Sequence, residues 1–361
     1  MNIQLLNTHE DQTVVEKKIK CVVWDLDNTL WEGVLLEDHE VVLRDSIIDI
    51  VQELDNRGIL QSISSKNDYD TAMKKLKMFQ MDHYFLYPQI NWNAKSSSIQ
   101  TIKEHLNIGM DSIAFVDDQD FELDEVVFAL PEVLCIGAPE IHSMLDYPAL
   151  HPKFITEDSK NRRLLYINDI RRNEAEENYK GVKEDFLASL KMKLHISTVT
   201  EKDLQRVEEL TIRTHQLNTT GYTYSYEELL EFMQSDQHLL LISSLDDAYG
   251  SYGKIGLILI EKGEEAWEIK LLLMSCRVMS RGIGTIMLYF LSVLASKNKV
   301  RLEAEFVPNG RNRMMYITYK FAGFKEAESN GVITILRNDL LEIQQCPDYI
   351  QLTSDVNLQE R

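Results

Sequence analysis

The stretch that most limits how this chain can fold is Cys21-Val22-Val23-Trp24-Asp25-Leu26-Asp27-Asn28-Thr29-Leu30-Trp31, an apolar run that ends in two aspartates one residue apart. A strand of this kind presents its last carboxylates at the carboxyl edge of a sheet, where open α/β folds place their sites. In an extended chain Asp25 and Asp27 point to the same side. Two carboxylates that close repel each other unless a cation or a shared proton relieves them. Taken alone, the pair also fits a surface turn with an Asx cap, so its meaning depends on the residues downstream.

Three further elements arrive in order. Gly58-Ile59-Leu60-Gln61-Ser62-Ile63-Ser64-Ser65-Lys66-Asn67 reads as a short strand with hydroxyl and amide groups at its end. A serine there can donate to a phosphoryl oxygen, and Ser65 is preferred over Ser64. Lys95, in Asn91-Trp92-Asn93-Ala94-Lys95, opens a helix expected to run to about His105, and places a point charge where phosphate oxygens can reach it. Ile113-Ala114-Phe115-Val116-Asp117-Asp118 is a second buried-looking strand ending in a carboxylate pair. Hard oxygen ligands of this kind suit Mg²⁺, which binds one or two carboxylates plus waters and substrate phosphates.

The ordered set Asp25-x-Asp27, Ser65, Lys95 and Asp117-Asp118 resembles the haloacid-dehalogenase superfamily of phosphohydrolases and phosphotransferases. The resemblance implies that Asp25 attacks phosphorus to form an aspartyl-phosphate. It implies that Asp27 protonates the leaving oxygen and then activates water, and that Ser65 and Lys95 hold the phosphoryl group. Asp25, Asp27, Asp117 and Asp118 are the implied metal-side carboxylates for Mg²⁺, with the choice between Asp117 and Asp118 as direct ligand left open.

The surrounding words, Asp25-Leu26-Asp27-Asn28-Thr29-Leu30-Trp31-Glu32-Gly33-Val34, Ser65-Lys66-Asn67, Asn91-Trp92-x-x-Lys95 and Asp117-Asp118, look like the capless FkbH-like branch. Thr156-Glu157-Asp158 and Ser275-Cys276-Arg277-Val278-Met279-x-Arg281 extend the likeness to roughly residues 18 to 330. The short interval between Asp27 and Ser65 leaves room for one crossover and no lid. FkbH-like proteins are implied to take 1,3-bisphosphoglycerate and load its glyceryl unit onto the phosphopantetheine thiol of an acyl carrier protein, with loss of phosphate, in polyketide-type biosynthesis. The chain departs from the pattern of glyceryl-transferring members at Leu26, where Cys often stands. Leucine forms no thioester, so acyl transfer is direct, uses another Cys, or is absent. Two other readings stay open: a small-molecule phosphatase with a structural C-terminal domain, and a non-catalytic carrier-protein docking module whose aspartates hold Mg²⁺ only structurally.

Composition bounds these readings. With 361 residues and 44% hydrophobic content, the chain can bury two cores. No apolar run approaches the roughly 20 residues that span a bilayer, and Met1 to Asp11 lacks the basic and apolar zones of a signal peptide. Four scattered cysteines without a CxxC pair suggest a reducing compartment and no structural zinc, so a cytoplasmic location is expected. A net charge of −20 argues against nucleic-acid binding. It also means that an acidic carrier protein would need a local basic patch. Arg162-Arg163 and Arg171-Arg172 are candidates, against the alternative of a solvated helix face paired with Glu174, Glu176 and Glu177.

The expected organisation is a peripheral segment over 1–17, a Rossmann-like haloacid-dehalogenase-type parallel-sheet domain over 18–150, a helical linker over 151–192, a second α/β domain over 193–340 and a tail over 341–361. In 18–145, short apolar runs alternate with helical ones, as βαβ units require. Two prolines, Pro148 and Pro152, mark the break after it. From His195 onward the order is a strand, two helices, three strands, a glycine turn and a long apolar helix. That order is similar to the Gcn5-related N-acetyltransferase fold. The likeness implies that Arg281, Gly282 and Gly284 cradle a pantetheine-bearing cofactor through backbone N–H groups, although Met279 stands where that pattern has Gln or Arg. The alternative is that the glycines permit tight packing. Cys276, beside Arg277, is a possible acyl-carrying thiol, since a neighbouring cation favours thiolate; a small buried hydrophobe is the other reading.

Overall fold

The computed structural model describes residues 18–38 and 40–356; the segment expected to be peripheral, 1–17, lies outside them. The chain divides into two units between Ile155 and Thr156. No helix among the described residues is long and apolar enough to cross a membrane.

In the first unit the elements run β1 (Cys21–Trp24), β2 (Trp31–Glu32), β3 (Val42–Leu43), α1 (Ile47–Asn56), β4 (Leu60–Ser65), α2 (Tyr69–Met78), β5 (Gln89–Ile90), α3 (Lys95–Leu106), β6 (Ile113–Asp117), α4 (Asp120–Ala129) and β7 (Leu134–Gly137). Five strands form one sheet in the order β5-β4-β1-β6-β7, every pair parallel. All residues of β1 are buried, as expected of a central strand covered on both faces. The chain moves outward from β1 through β4 to β5, then returns through α3 to β6 on the other side. The carboxyl end of β1 is therefore the switch point at which open α/β sheets form a crevice. Alternation sends Leu26 the other way from the two aspartates, into a core with Trp24, Leu30, Trp31 and Ile63. Among the described residues, only the β2–β3 hairpin and α1 stand between β1 and β4, and they form no lid domain.

The second unit begins with α5 (Glu157–Lys160), α6 (Arg162–Asn178) and α7 (Lys183–Ser189). It continues through β8 (Met192–Thr198), α8 (Leu204–Arg213), α9 (Tyr226–Gln234), β9 (His238–Asp247), β10 (Gly250–Lys262), β11 (Ala266–Met274), α10 (Ile283–Lys297), β12 (Arg301–Phe306), α11 (Arg313–Phe321), β13 (Lys325–Ser329), β14 (Thr334–Asn338) and β15 (Ile350–Ser354). Its eight-stranded sheet has the order β13-β14-β12-β11-β10-β9-β8-β15. Period-two alternation builds a core on each face. Ile255, Ile258, Ile260, Ile269, Leu272 and Met274 join one cluster with α10 residues, whereas Leu257, Leu259, Leu271 and Leu273 join the other with Leu204, Val207 and Leu210 of α8.

Three expectations change here. The helices read as a linker over 151–192 belong to the second unit. Arg172 is wholly buried, with Nε and Nη2 donating to the two oxygens of Asp247 at 2.8 and 2.9 Å and Nη1 donating to Asp169 at 2.8 Å. Arg162 is buried too, against Glu209. These two guanidiniums are internal ties rather than a basic docking face. In the expected tail, residues 350–354 form β15 and pair in parallel with β8.

Candidate active site

Each strand of the first unit's switch point delivers one group. Asp25 follows β1 directly, and its N–H donates to the Val116 carbonyl of β6 at 2.9 Å, which fixes the carboxylate beside the end of β6. Asp117 is the last residue of β6 and is 1% exposed. Lys95 opens α3 and is 3% exposed. Its Nζ donates to Asp25 Oδ1 at 2.5 Å, to Asp117 Oδ2 at 2.9 Å and to the Ser64 carbonyl at 2.9 Å. An ammonium has three donors, and all three are used. The sequence-expected helix from Lys95 to about His105 is observed as Lys95–Leu106.

Carboxylate oxygens of Asp25, Asp117 and Asp118 lie within 4.8 Å of one another. Burial, outweighing Lys95 and aided by Asp117, pushes the Asp25 carboxyl up to about 7. Burial and then Asp117 also raise Asp118. Lys95 loses hydration, yet Asp25 and Asp117 hold its ammonium above the ordinary lysine value. One lysine therefore faces three carboxylates, and Asp118 Oδ1 is buried without a hydrogen-bond partner. A small hard cation answers both the repulsion and the orphaned oxygen. Asp25, Asp117 and Asp118 thus fit Mg²⁺.

The Asp27 carboxylate is not part of that group. Trp31 Nε1 donates to its Oδ1 at 2.8 Å, the Leu35 N–H to the same oxygen at 3.1 Å, and Asn67 Nδ2 to Oδ2 at 3.1 Å. These three donors hold its side chain in one orientation, outside the group formed by Asp25, Asp117 and Asp118, so the expected Asp27 carboxylate is not brought to the other three. Asn28 makes the required turn in the left-handed region (φ 50°), which asparagine tolerates better than most residues. Its Oδ1 accepts from the Gly33 N–H at 3.1 Å, and Arg44 donates to the carbonyls of Asn28 and Thr29. Ser65 closes β4 and is buried, while the neighbouring Ser64 hydroxyl is buried without a partner. Trp31 and Asn67 had no role assigned from sequence. Both stand inside the quoted words, but only the folded turn reveals which carboxylate they orient.

Cys276, Arg281, Gly282 and Gly284 lie in the second unit. Cys276 is half-buried at the start of a 3₁₀ turn after β11. Arg281 is 2% exposed and donates to Glu176 of α6 at 2.6 Å. Gly282 (φ +73°) precedes α10, and a Cβ there would stand 2.6 Å from the Tyr349 hydroxyl. A Cβ on Gly284 would meet Met274 Cε at 2.7 Å and Thr318 Cγ2 at 3.0 Å. Both glycines thus answer to packing by the chain's own side chains. Beyond Ile269 and Ala304, where their parallel pairing ends, β11 and β12 part. The gap is filled by Leu217–Thr219: Met274 N–H donates to the Leu217 carbonyl at 2.8 Å, Thr219 N–H to that of Leu272 at 3.1 Å, and Val307 N–H to that of Thr219 at 3.0 Å.

No protein-family model and no curated protein matches this chain. Among solved structures it is similar to the N-terminal part of a Bacteroides fragilis protein containing a phosphatase domain, complexed with Mg. The identity is 28% and the TM-score 0.31, over 38% of this chain and 41% of that one. It is also similar to the ribosomal-protein-S18-alanine N-acetyltransferase of Escherichia coli (16% identity, TM-score 0.33, 43% of this chain and 97% of that one). A third likeness is to a GNAT-family acetyltransferase of Streptococcus pneumoniae (16%, TM-score 0.33, 40% and 98%). The α/β expectation stands: a unit built on a five-stranded parallel sheet is followed by a second α/β unit built on a mixed sheet.

Proposed function

We propose that the first unit is a Mg²⁺-dependent phosphoryl-transfer site with Asp25 as nucleophile, and that the whole chain works on an acyl phosphate of the 1,3-bisphosphoglycerate type. The observation that carries the first part is the buried convergence of Asp25, Lys95, Asp117 and Asp118 at the switch point of the sheet. Asp25 Oδ attacks the phosphorus of a phosphate monoester, the bond to the leaving oxygen breaks, and Asp27 supplies that oxygen's proton. Asp27 then takes a proton from water, which attacks the aspartyl-phosphate and releases inorganic phosphate. Mg²⁺, when bound, supplies neutralisation of charge on the phosphoryl oxygens. Lys95 keeps Asp25 and Asp117 together, and its nearby charge favours the same oxygens without a direct hydrogen bond.

In the fuller reading, the phosphopantetheine thiol of an acyl carrier protein attacks the acyl carbon. The carbon–oxygen bond to the first phosphate breaks, and the monoester phosphate is removed at Asp25. The open crevice, with only a hairpin and a helix described between β1 and β4, favours a bulky partner over a lidded small-molecule pocket. Leu26 belongs to the core, so residue 26 contributes packing and not a thiol. One observation favours the second reading, a phosphatase without acyl capture: the strand gap and glycine turn of the second unit are filled by the chain's own residues. Intact-protein mass spectrometry of holo carrier protein, incubated with the enzyme, Mg²⁺ and 1,3-bisphosphoglycerate, separates the two. A carrier that gains a glyceryl group establishes loading; phosphate release beside an unmodified carrier leaves the phosphatase. Asp25→Asn abolishes release of the monoester phosphate in either reading, and wild-type-like release of that phosphate by the variant overturns both.

A further inference from the structure

In a parallel sheet every strand points its carboxyl end to one edge, so the loops that follow β1, β4, β5 and β6 all emerge beside the crevice. Side-chain bonds anchor these loops to the site. The Leu35 N–H and Asn67 Nδ2 each donate to Asp27 at 3.1 Å. Lys66 Nζ donates to Glu122 of α4 at 2.7 Å, and the Ser96 N–H of α3 to Glu125 of α4 at 3.1 Å. Beside these anchors each loop turns one large apolar side chain to solvent: Leu36 next to Leu35, Tyr69 two residues after Asn67, Trp92 three before Lys95, and Phe121 next to Glu122. Trp92 is 68% exposed and Phe121 75%. Phe128, two turns further along α4 and on the same face as Phe121, is 92% exposed.

A single exposed apolar side chain is ordinary, but a set gathered round one crevice marks a surface that another molecule covers. The opposite edge of the same sheet supplies the contrast. Among the described residues, its loops at 57–59, 79–88, 107–112 and 130–133 expose no large apolar side chain. Aromatic side chains are also what protein interfaces favour. The charge of the rim decides which kind of partner fits. Glu37, Asp38, Asp68, Asp70 and Asp120 are all exposed in the same loops. The one cation in loop residues 27–38, 66–70, 91–94 and 118–121 is Lys66, which Glu122 already engages. An acidic rim around apolar anchors complements a basic face and repels an acidic one. Two copies meeting symmetrically at this edge would set carboxylates against carboxylates.

We propose that this rim docks a protein partner whose contact face combines lysine or arginine with apolar side chains. A carrier protein served by the crevice therefore approaches with a basic face. Docking is read as binding, without turnover, so it and the phosphoryl chemistry fail separately. Fluorescence anisotropy of the full chain with a labelled peptide of alternating lysine and leucine, and with its glutamate–leucine counterpart, makes the test. The wild type binds the lysine peptide about tenfold or more tightly than the glutamate one, and the preference shrinks as salt rises. Trp92→Ser and Phe121→Ser each weaken binding of the lysine peptide about tenfold or more, the loss typical of an aromatic interface anchor. Phe321→Ser, which removes an exposed aromatic of the second unit, leaves it unchanged. Because all three side chains face solvent, the variants keep the wild-type far-UV circular dichroism. Absence of binding, equal affinity for the two peptides, or wild-type binding by both rim variants overturns the docking surface. So does an equal loss in Phe321→Ser, or a dimer in sedimentation that Trp92→Ser dissociates.

Discussion

Lys95 is the only cation bonded to Asp25 and Asp117 among the described residues, and replacing it with methionine tests the electrostatic reading of the site. In the wild type its three bonds tie β1, β4 and β6 together through Asp25, the Ser64 carbonyl and Asp117. Lys95→Met keeps the stem length and removes the charge, leaving Asp25 and Asp117, both buried, next to Asp118 with no counter-ion. Breaking a buried ion pair by deleting one partner costs about 3–5 kcal/mol, and that is the expected loss of stability of the first unit without metal at pH 8. Lys95 also lowers the Asp25 pKa, so removing it drives that pKa above about 7. A carboxyl whose pKa is raised by folding confers stability that is complete below its unfolded value near 3.8 and is lost as pH rises through the folded value. The deficit is therefore smaller at pH 6 than at pH 8. Mg²⁺ should bind the variant's uncompensated carboxylates more tightly than the wild type's, so the gap narrows as Mg²⁺ is added. Urea unfolding followed by tryptophan fluorescence reports mainly on this unit, which holds the buried Trp24 and Trp31 together with Trp92, against Trp267 in the second unit. A deficit below about 1 kcal/mol at pH 8, or one that Mg²⁺ leaves unchanged, refutes the account.

The same geometry sets three other expectations. Mg²⁺ affinity, measured by calorimetry between pH 5.5 and 8.5, should fall as pH drops through about 7, where protons compete for Asp25; a flat profile would remove Asp25 from the ligand set. Trp31→Phe takes one donor from Asp27 Oδ1 and should lower kcat about tenfold with unchanged far-UV circular dichroism, whereas full activity would mean that the indole does not position the acid. Arg172→Met strands the Asp247 carboxylate inside the second unit and should destabilise it by about 3–5 kcal/mol. Thermal or urea unfolding within about 1 kcal/mol of wild type would contradict that.

What the sequence made legible is what local pattern governs. Asp25, Lys95 and Asp117 stand at element ends, and a strand end or helix start fixes where a side chain emerges, so their convergence followed once the sheet order was set. Trp31 and Asn67 were not legible as partners of Asp27. The turn that brings them there depends on Asn28 in the left-handed region and on Arg44 holding two carbonyls, neither of which has a sequence period. Arg162 and Arg172 looked like one face of a charged helix because nearby glutamates offered partners at helical spacing. Their actual partners, Glu209 and Asp247, come from other elements, and only tertiary packing decides between the two. The glycines before α10 were legible as a turn, but Tyr349, Met274 and Thr318, which close over them, arrive from distant parts of the chain.

The pairing of β15 with β8 bears on how the second unit is made. On a ribosome, β8 emerges early and finds β9 as its antiparallel neighbour on one side. Its other side, from Met192 to Ile196, meets Ile350 to Ser354, which are synthesised only after every other strand of the sheet. Until then β8 presents an open edge, the kind of surface that recruits strands from other chains. The second unit is therefore most exposed to misassembly during its own translation, and a break in synthesis just short of residue 350 would leave that edge uncovered.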